Sequence, residues 1–125
     1  MILPLMLVLI IGVMELGIAF YKNSALAHAT RKAIRRAALN RSTRTEITDT
    51  VINNAVGIPV SSSEVTITTA AADSSFPGNP PSVTIAASHT HQFLVLPLIG
   101  VNTFTLSSTQ SSTVLVYPGK ENVTF

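Results

Sequence analysis

The chain of 125 residues contains no cysteine, which excludes disulfide bonds and thiolate metal sites. Charged residues are also scarce: they make up 11% of the chain, against about 25% in typical soluble proteins. Serine and threonine crowd residues 61–69 and 103–113 instead, where they alternate with aliphatic residues. This alternation predicts strands with a hydroxyl-rich exposed face rather than disorder.

Residues 1–21 form an apolar run that contains a single charged residue, Glu15. A helix of this length spans roughly 30 Å, the hydrocarbon thickness of a bilayer. No basic residue precedes the run, and Ala19-Phe20-Tyr21-Lys22 is not typical of a signal cleavage site. We therefore predict that the run belongs to the mature chain, and that a leader has already been removed upstream of Met1.

The helical pattern continues beyond the run, since residues 22–56 contain neither glycine nor proline. Gly57 and Pro59 then provide stop signals, although the polar stretch 40–50 is a plausible place for a break. From residue 58 the apolar period changes to two, which predicts an antiparallel sheet of three or four strands. The predicted fold class is α+β, with a long helix over 1–57 and a head domain over 58–125. Within the helix, residues 1–21 are the membrane or filament-core segment and residues 22–57 an amphipathic part.

The charges are unevenly distributed along the chain. Seven of the eight basic residues lie in residues 22–44, whereas five of the six acidic residues follow residue 45. A basic stretch directly after an apolar run has three interpretations: a cytoplasmic flank, a contact with anionic lipid, or an interface with acidic groups of neighbouring subunits.

Three motifs occur in the same order as in TadE-like proteins of the type IV pilin superfamily. Residues 3–17 begin with Leu3-Pro4 and end with Glu15-Leu16-Gly17, residues 33–38 are rich in alanine and arginine, and residues 83–108 hold a strand, a Leu-Pro loop and a second strand. The chain resembles this family over most of its length. One difference is Leu5, because pilins usually carry glutamate five residues after the processing site.

The resemblance implies a structural subunit of an extracellular pilus-like filament at the cell surface, a homopolymer formed through the apolar helix. Before assembly the subunit would reside in the inner membrane, from which the pilus assembly machinery extracts it. The alternative is a single-pass minor pseudopilin or binding module that primes or tips a pilus or secretion system. The basic stretch favours this alternative, since positive residues usually flank a span on the cytoplasmic side.

Glu15 is the first candidate for an assembly residue. A carboxylate in a bilayer core is costly, so such groups usually face protein and have a partner. We predict that Glu15 pairs with Lys22 or the N-terminal amine of a neighbouring subunit and sets the register; the alternative is a protonated or locally hydrogen-bonded side chain. The residues expected to pack in the filament core are Leu5, Leu9, Gly12, Leu16, Gly17 and Phe20.

The basic residues Arg31, Lys32, Arg35 and Arg36 are predicted to make inter-subunit charge contacts or to form a solvated face. Nucleic acid binding is not expected, because no aromatic residue lies among them to stack on bases. His89 and His91 point to one face of a predicted strand but lack an evident third metal ligand. No catalytic constellation is found, so we expect neither an enzyme nor a cofactor. Asn40 and Asn122 each begin a glycosylation acceptor pattern.

Overall fold

The computed structural model describes residues 2–71 and 80–115 and has the predicted α+β architecture. Its longer elements are helices α1 (Ile2–Ala38) and α2 (Arg44–Asn54) and strands β1 (Val65–Ala70), β2 (Ser82–Gln92) and β3 (Thr103–Thr113). Two short 3-10 helices, Ser62–Glu64 and Leu96–Ile99, precede β1 and β3. Most of the predicted turn-rich insert 73–81, and the end of the chain after residue 115, lie outside the described residues.

The prediction of one continuous helix to residue 57 is wrong, because α1 ends at Ala38. Asn40 has a positive φ of 48°, and its N–H donates to the carbonyl of Ala37 at 2.9 Å. Asparagine is among the few residues that adopt the left-handed conformation readily, so the chain turns here at little cost. The break falls at the start of the polar stretch 40–50 that the sequence marks as weak. The division into two domains at residue 57 stays a prediction.

Helix α2 begins with a capping box. The Thr43 side chain accepts from the N–H of Glu46, whose carboxylate accepts from the N–H of Thr43 at 2.9 Å. The helix then runs back along α1: Arg36 donates to Thr50, and Lys32 donates to Asn54 at 2.7 Å. The two helices therefore form an antiparallel hairpin, with Gly57 close to the Tyr21 ring.

The three strands form an antiparallel sheet in the order β1-β2-β3. Ile85 in the central strand lies opposite Ile67 of β1 and Gln110 of β3. The alternation predicted from the sequence is confirmed, since Val83, Ile85 and Ala87 are buried while many serine and threonine residues face outward. The apolar stretch after β2 forms no strand; it turns through the 3-10 helix at Pro97 and ends at Gly100, whose φ is 89°.

One core joins the sheet to both helices. Its largest fully buried side chains are Leu26, Ile47, Val51, Val83, Ile85 and Leu106. A buried hydrogen bond of 2.8 Å between the hydroxyls of Thr30 and Ser108 links α1 to β3 within this core. The core covers only the C-terminal half of α1, and the N-terminal half extends beyond it.

Candidate assembly surface

The N-terminal half of α1 is an apolar helix with little cover from the rest of the chain. By length and composition, α1 contains a segment near its N-terminus that is long and apolar enough to cross a membrane. Nearly all of its large side chains are exposed, including Leu5, Leu9, Leu16 and Phe20. Gly12 and Gly17 lie in the same segment, and a Cβ atom added to either would meet nothing within 4 Å. The role of these residues in a filament core stays a prediction.

Glu15 has hydrogen-bond partners within its own chain. One carboxylate oxygen accepts the N–H groups of Leu94 at 2.7 Å and Val95 at 2.9 Å, and the other accepts that of Leu96 at 3.2 Å. The carboxylate thus fastens the segment after β2 to the side of α1 through charge-assisted hydrogen bonds. This arrangement corresponds to the alternative of a locally bonded Glu15, while its role in subunit register stays a prediction.

The sequence does not reveal the partners of Glu15. They are backbone groups about 80 residues away, and backbone N–H groups leave no mark in a side-chain pattern. The available signal was an isolated acid in one apolar segment together with a second apolar segment, 93–99, that cannot form a regular strand. These two features indicate that Glu15 and residues 93–99 both need partners, but they do not show that the two bind each other.

Lys22 lies beside His91 rather than beside Glu15. Its ammonium group is 3.2 Å from Nδ1 of His91, and the imidazole ring packs edge-on against Phe93 with 5.2 Å between ring centroids. Burial, followed by the charge of Lys22, lowers the pKa of His91 below its usual value, although the negative charge of Glu15 acts in the opposite direction. The Nδ1 atom of a neutral His91 can accept a hydrogen bond from the Lys22 ammonium group, so this contact ties β2 to α1.

His89 and His91 lie on one face of β2, as predicted, and this is the face that holds the buried residues of the strand. The two histidines have different partners. His89 Nδ1 lies 3.0 Å from a carboxylate oxygen of Glu64. The backbone N–H of Ser61 lowers the pKa of Glu64, and the His89 ring lowers it further, while burial opposes both effects. Among residues 2–71 and 80–115, no group of three or more His, Asp or Glu side chains is arranged to hold a metal ion.

The four basic residues on α1 fall into two pairs. Lys32 and Arg36 bind Asn54 and Thr50 of α2, and Arg36 also donates to Ser42 in the turn before α2. Arg31 and Arg35 are exposed and make no hydrogen bond or ion pair with the described residues. Together with His28 they line an open groove of about 510 Å³ between the two helices. The groove therefore offers two guanidinium groups that have no partner among the described residues, whereas Lys32 and Arg36 already bind other parts of the fold.

Of the two glycosylation patterns, Asn40 is 3% exposed, and its amide nitrogen and oxygen have no hydrogen-bond partner among the described residues. A side chain buried in this way is not accessible for modification in the folded chain. Asn122 lies outside the described residues.

Residues 1–35 match the family model described as TadE-like protein. No curated protein and no solved structure matches the chain. The matched segment holds the apolar run, Glu15, and the first of the α1 residues that pack against the sheet. A match to this family indicates a Tad pilus-associated protein with an N-terminal apolar helix of the membrane-anchoring type. The resemblance to TadE-like proteins that the sequence indicates is thus confirmed over residues 1–35, which match the family model.

Proposed function

We propose that the chain is the structural subunit of an extracellular pilus-like filament and polymerises through the N-terminal half of α1. The observation that carries the proposal is the apolar surface of residues 2–20, which the folded part of the chain leaves largely exposed. In water such a surface is far larger than soluble monomers tolerate. A membrane before assembly, and neighbouring α1 helices afterwards, would both cover it.

Helix packing rather than burial from water would hold the filament together. A subunit that leaves the inner membrane exchanges lipid for protein, so the hydrophobic gain is small and close packing has to compensate. Gly12 and Gly17 favour such packing, because the space beside them is open to the backbone of a neighbouring helix. The assembly machinery would supply the work of extraction. A repeated head-to-tail contact that does not close then produces an open helical fibre.

Glu15 and Lys22 are proposed to set the register between subunits. In the monomer Glu15 binds the amides of residues 94–96 and Lys22 binds His91. An inter-subunit ion pair would therefore have to replace or share these contacts. Since Glu15 and Lys22 are seven residues apart on one helix, they lie on similar faces of α1 and could pair between helices shifted by two turns.

Purified chain should form fibres with no other subunit present, and Glu15→Ala should reduce the fibre yield while the monomer still inserts into membranes. Met14→Ala is the matched control, because Met14 is the exposed neighbour of Glu15 on the same helix. The yield would be measured by sedimentation and electron microscopy. Fibre formation by Glu15→Ala at the level of the control would refute the register role.

A charge exchange separates register from the local role of Glu15. In the double variant with Glu15→Lys and Lys22→Glu, an inter-subunit ion pair is restored, but a lysine cannot accept the N–H groups of residues 94–96. Recovery of fibres relative to Glu15→Lys alone would support the ion pair. Failure to recover, with faster amide exchange at residues 94–96, would assign Glu15 to the local contact.

A minor subunit that primes or tips a filament is the second candidate. Its support is the basic segment after the apolar run, which under the positive-inside rule favours a cytoplasmic soluble part. Protease protection in membrane vesicles of known orientation tests this point. Cleavage of the head from the cytoplasmic side would exclude an extracellular pilin, and cleavage only from the opposite side would support it.

A further inference from the structure

Residues 93–101, here called the tip loop, connect β2 to β3 and contain no polar side chain. Leu94 is 85% exposed and Leu98 is 76% exposed. Phe104, the second residue of β3, is also exposed and extends this apolar surface. Water-exposed turns normally carry polar residues, so an apolar segment of nine residues at the end of a sheet requires a different environment.

The tip loop lies against the apolar run of α1. Leu96 lines a groove with α1 residues between Leu5 and Leu16. Phe93 and Phe104 line a small apolar pocket with Leu16, Ala19 and Phe20 of the next turns. Phe93, Leu96 and Ala19 form a small buried cluster of their own. At about 1.5 Å per residue, Gly12 and Leu16 lie roughly 15 Å and 9 Å along the helix from Lys22, where the apolar run ends. A bilayer that covers the run up to Tyr21 therefore also reaches the tip loop.

Seven of the eight N–H groups in the tip loop have a hydrogen-bond acceptor within the chain, as insertion into a medium without water requires. Glu15 accepts three successive N–H groups, from Leu94 to Leu96, and Pro97 has none. The remaining assigned N–H bonds are Phe93 to Asn102, Leu98 to Val95, Gly100 to Pro97 and Val101 to Leu96. In hydrocarbon an unsatisfied N–H costs several kcal/mol, so irregular backbone is tolerated there only when its groups are paired internally.

We propose that the tip loop inserts into the hydrocarbon of the bilayer beside α1, so that the membrane-bound subunit is held by a helix and a loop together. Leu94 and Leu98 contact acyl chains, and Glu15 enters the membrane as the acceptor that satisfies the loop. Tyr21 and the Lys22–His91 contact then lie near the interface, where amphipathic side chains are favoured. This inference rests on the membrane-bound stage of the proposed function.

Lipid fits this surface better than a second copy of the chain does. The exposed apolar side chains of the tip loop continue directly into those of α1, and a lipid bilayer covers such a surface from all sides. A protein partner would instead offer hydrogen-bond groups, but the N–H groups of Leu94, Val95 and Leu96 are already donated to Glu15.

Because the chain has no cysteine, a probe can be placed at one site at a time. Leu98→Cys in the full chain would carry an environment-sensitive fluorophore in phosphatidylcholine vesicles, with and without lipid brominated in its acyl chains. Leu94→Cys repeats the measurement at the second exposed leucine. Leu9→Cys reports whether α1 itself is inserted. Thr113→Cys is the outside control, since Thr113 pairs with Ser82 at the far end of β2.

We expect blue-shifted emission at Leu98 and Leu94, and quenching by brominated lipid comparable with that at Leu9 and several times that at Thr113. Quenching at Leu9 without quenching at either tip residue would overturn the tip insertion while the membrane-bound stage stands. Absence of quenching at Leu9 as well would overturn both. Protection of the Leu98 probe only in assembled fibres would assign the loop to a neighbouring subunit and would also overturn the proposal.

Discussion

Asn40 combines a backbone requirement with an unsatisfied side chain. Its φ of 48° lets the chain leave α1, and its buried amide lacks a partner among the described residues. Left-handed backbone costs a non-glycine residue about 1–2 kcal/mol, less for asparagine, and glycine nothing. The residue thus serves the turn through its backbone rather than through its amide.

We predict that Asn40→Gly is more stable than Asn40→Ala by about 1 kcal/mol, because both variants lose the amide but only alanine strains the turn. Chemical unfolding of the two variants in the same detergent measures the difference. Glycine leaves the larger cavity, so the loss of side-chain volume alone would make the glycine variant the less stable of the two. A more stable glycine variant therefore reports the backbone strain. Equal stabilities, or a more stable alanine variant, would show that backbone strain at this position is unimportant.

His91 predicts a pH dependence of the fold. Burial and Lys22 lower its pKa in the folded chain, whereas in the unfolded chain it protonates as the pH falls through about 6.5. The unfolded state then binds more protons, so stability decreases as the pH falls from 6.5 towards the lowered pKa. Glu15 opposes this shift, and His89 adds to it weakly.

His91→Gln retains an acceptor for Lys22 but cannot titrate, so its Tm should fall less than that of the wild-type chain between pH 7.5 and 5.5. His28→Gln is the control, because His28 lies in the open groove between the helices, and it should retain the wild-type dependence. An unchanged pH dependence in His91→Gln would contradict the assignment.

At the scale of elements, α2 shows how few residues decide where a helix starts. Thr43→Ala removes the side-chain cap and should destabilise the chain by about 1 kcal/mol. Thr45→Ala, an exposed substitution inside the same helix, should be neutral or slightly stabilising, because alanine is the better helix former. Chemical unfolding compares the two variants. A loss from Thr45→Ala as large as that from Thr43→Ala would indicate general helix sensitivity instead of capping.

The elements differ in how far the sequence predicts them. Val83, Ile85 and Ala87 recur at every second position, and one buried face is enough to create that pattern. The pattern predicts a strand over residues 82–91, and β2 spans Ser82–Gln92. The start of α2 also has a sequence signature, because Thr43-x-x-Glu46 matches a capping box. The absence of glycine and proline from residues 22–56 nevertheless favours a continuous helix, which the structure does not have. The position of the tip loop cannot be predicted from the sequence, because it depends on hydrogen bonds between Glu15 and backbone groups about 80 residues away.

At the scale of the whole molecule, the open groove beside Arg31 and Arg35 allows contacts between subunits to be tested separately from the stability of the monomer. Arg31→Glu with Arg35→Glu should reduce fibre yield if neighbouring subunits present acidic groups to the groove, while the monomer keeps its stability. Arg36→Ala should instead destabilise the monomer by up to about 1.5 kcal/mol, because it removes hydrogen bonds to Ser42 and Thr50. Fibre yield and unfolding are measured in parallel. Wild-type yield from the double variant would identify Arg31 and Arg35 as a solvated face.

The continuity of α1 has a mechanical consequence. The helix runs without a break from Ile2 to Ala38, and seven of its residues from Ala19 to Ala37 are buried against the rest of the chain, here called the head. A pull on the head is therefore transmitted along the axis of the apolar segment, with no hinge to absorb it. A rotation of the head likewise turns the apolar segment through the same angle. The orientation of the head therefore determines which side of the apolar segment faces the neighbouring subunits.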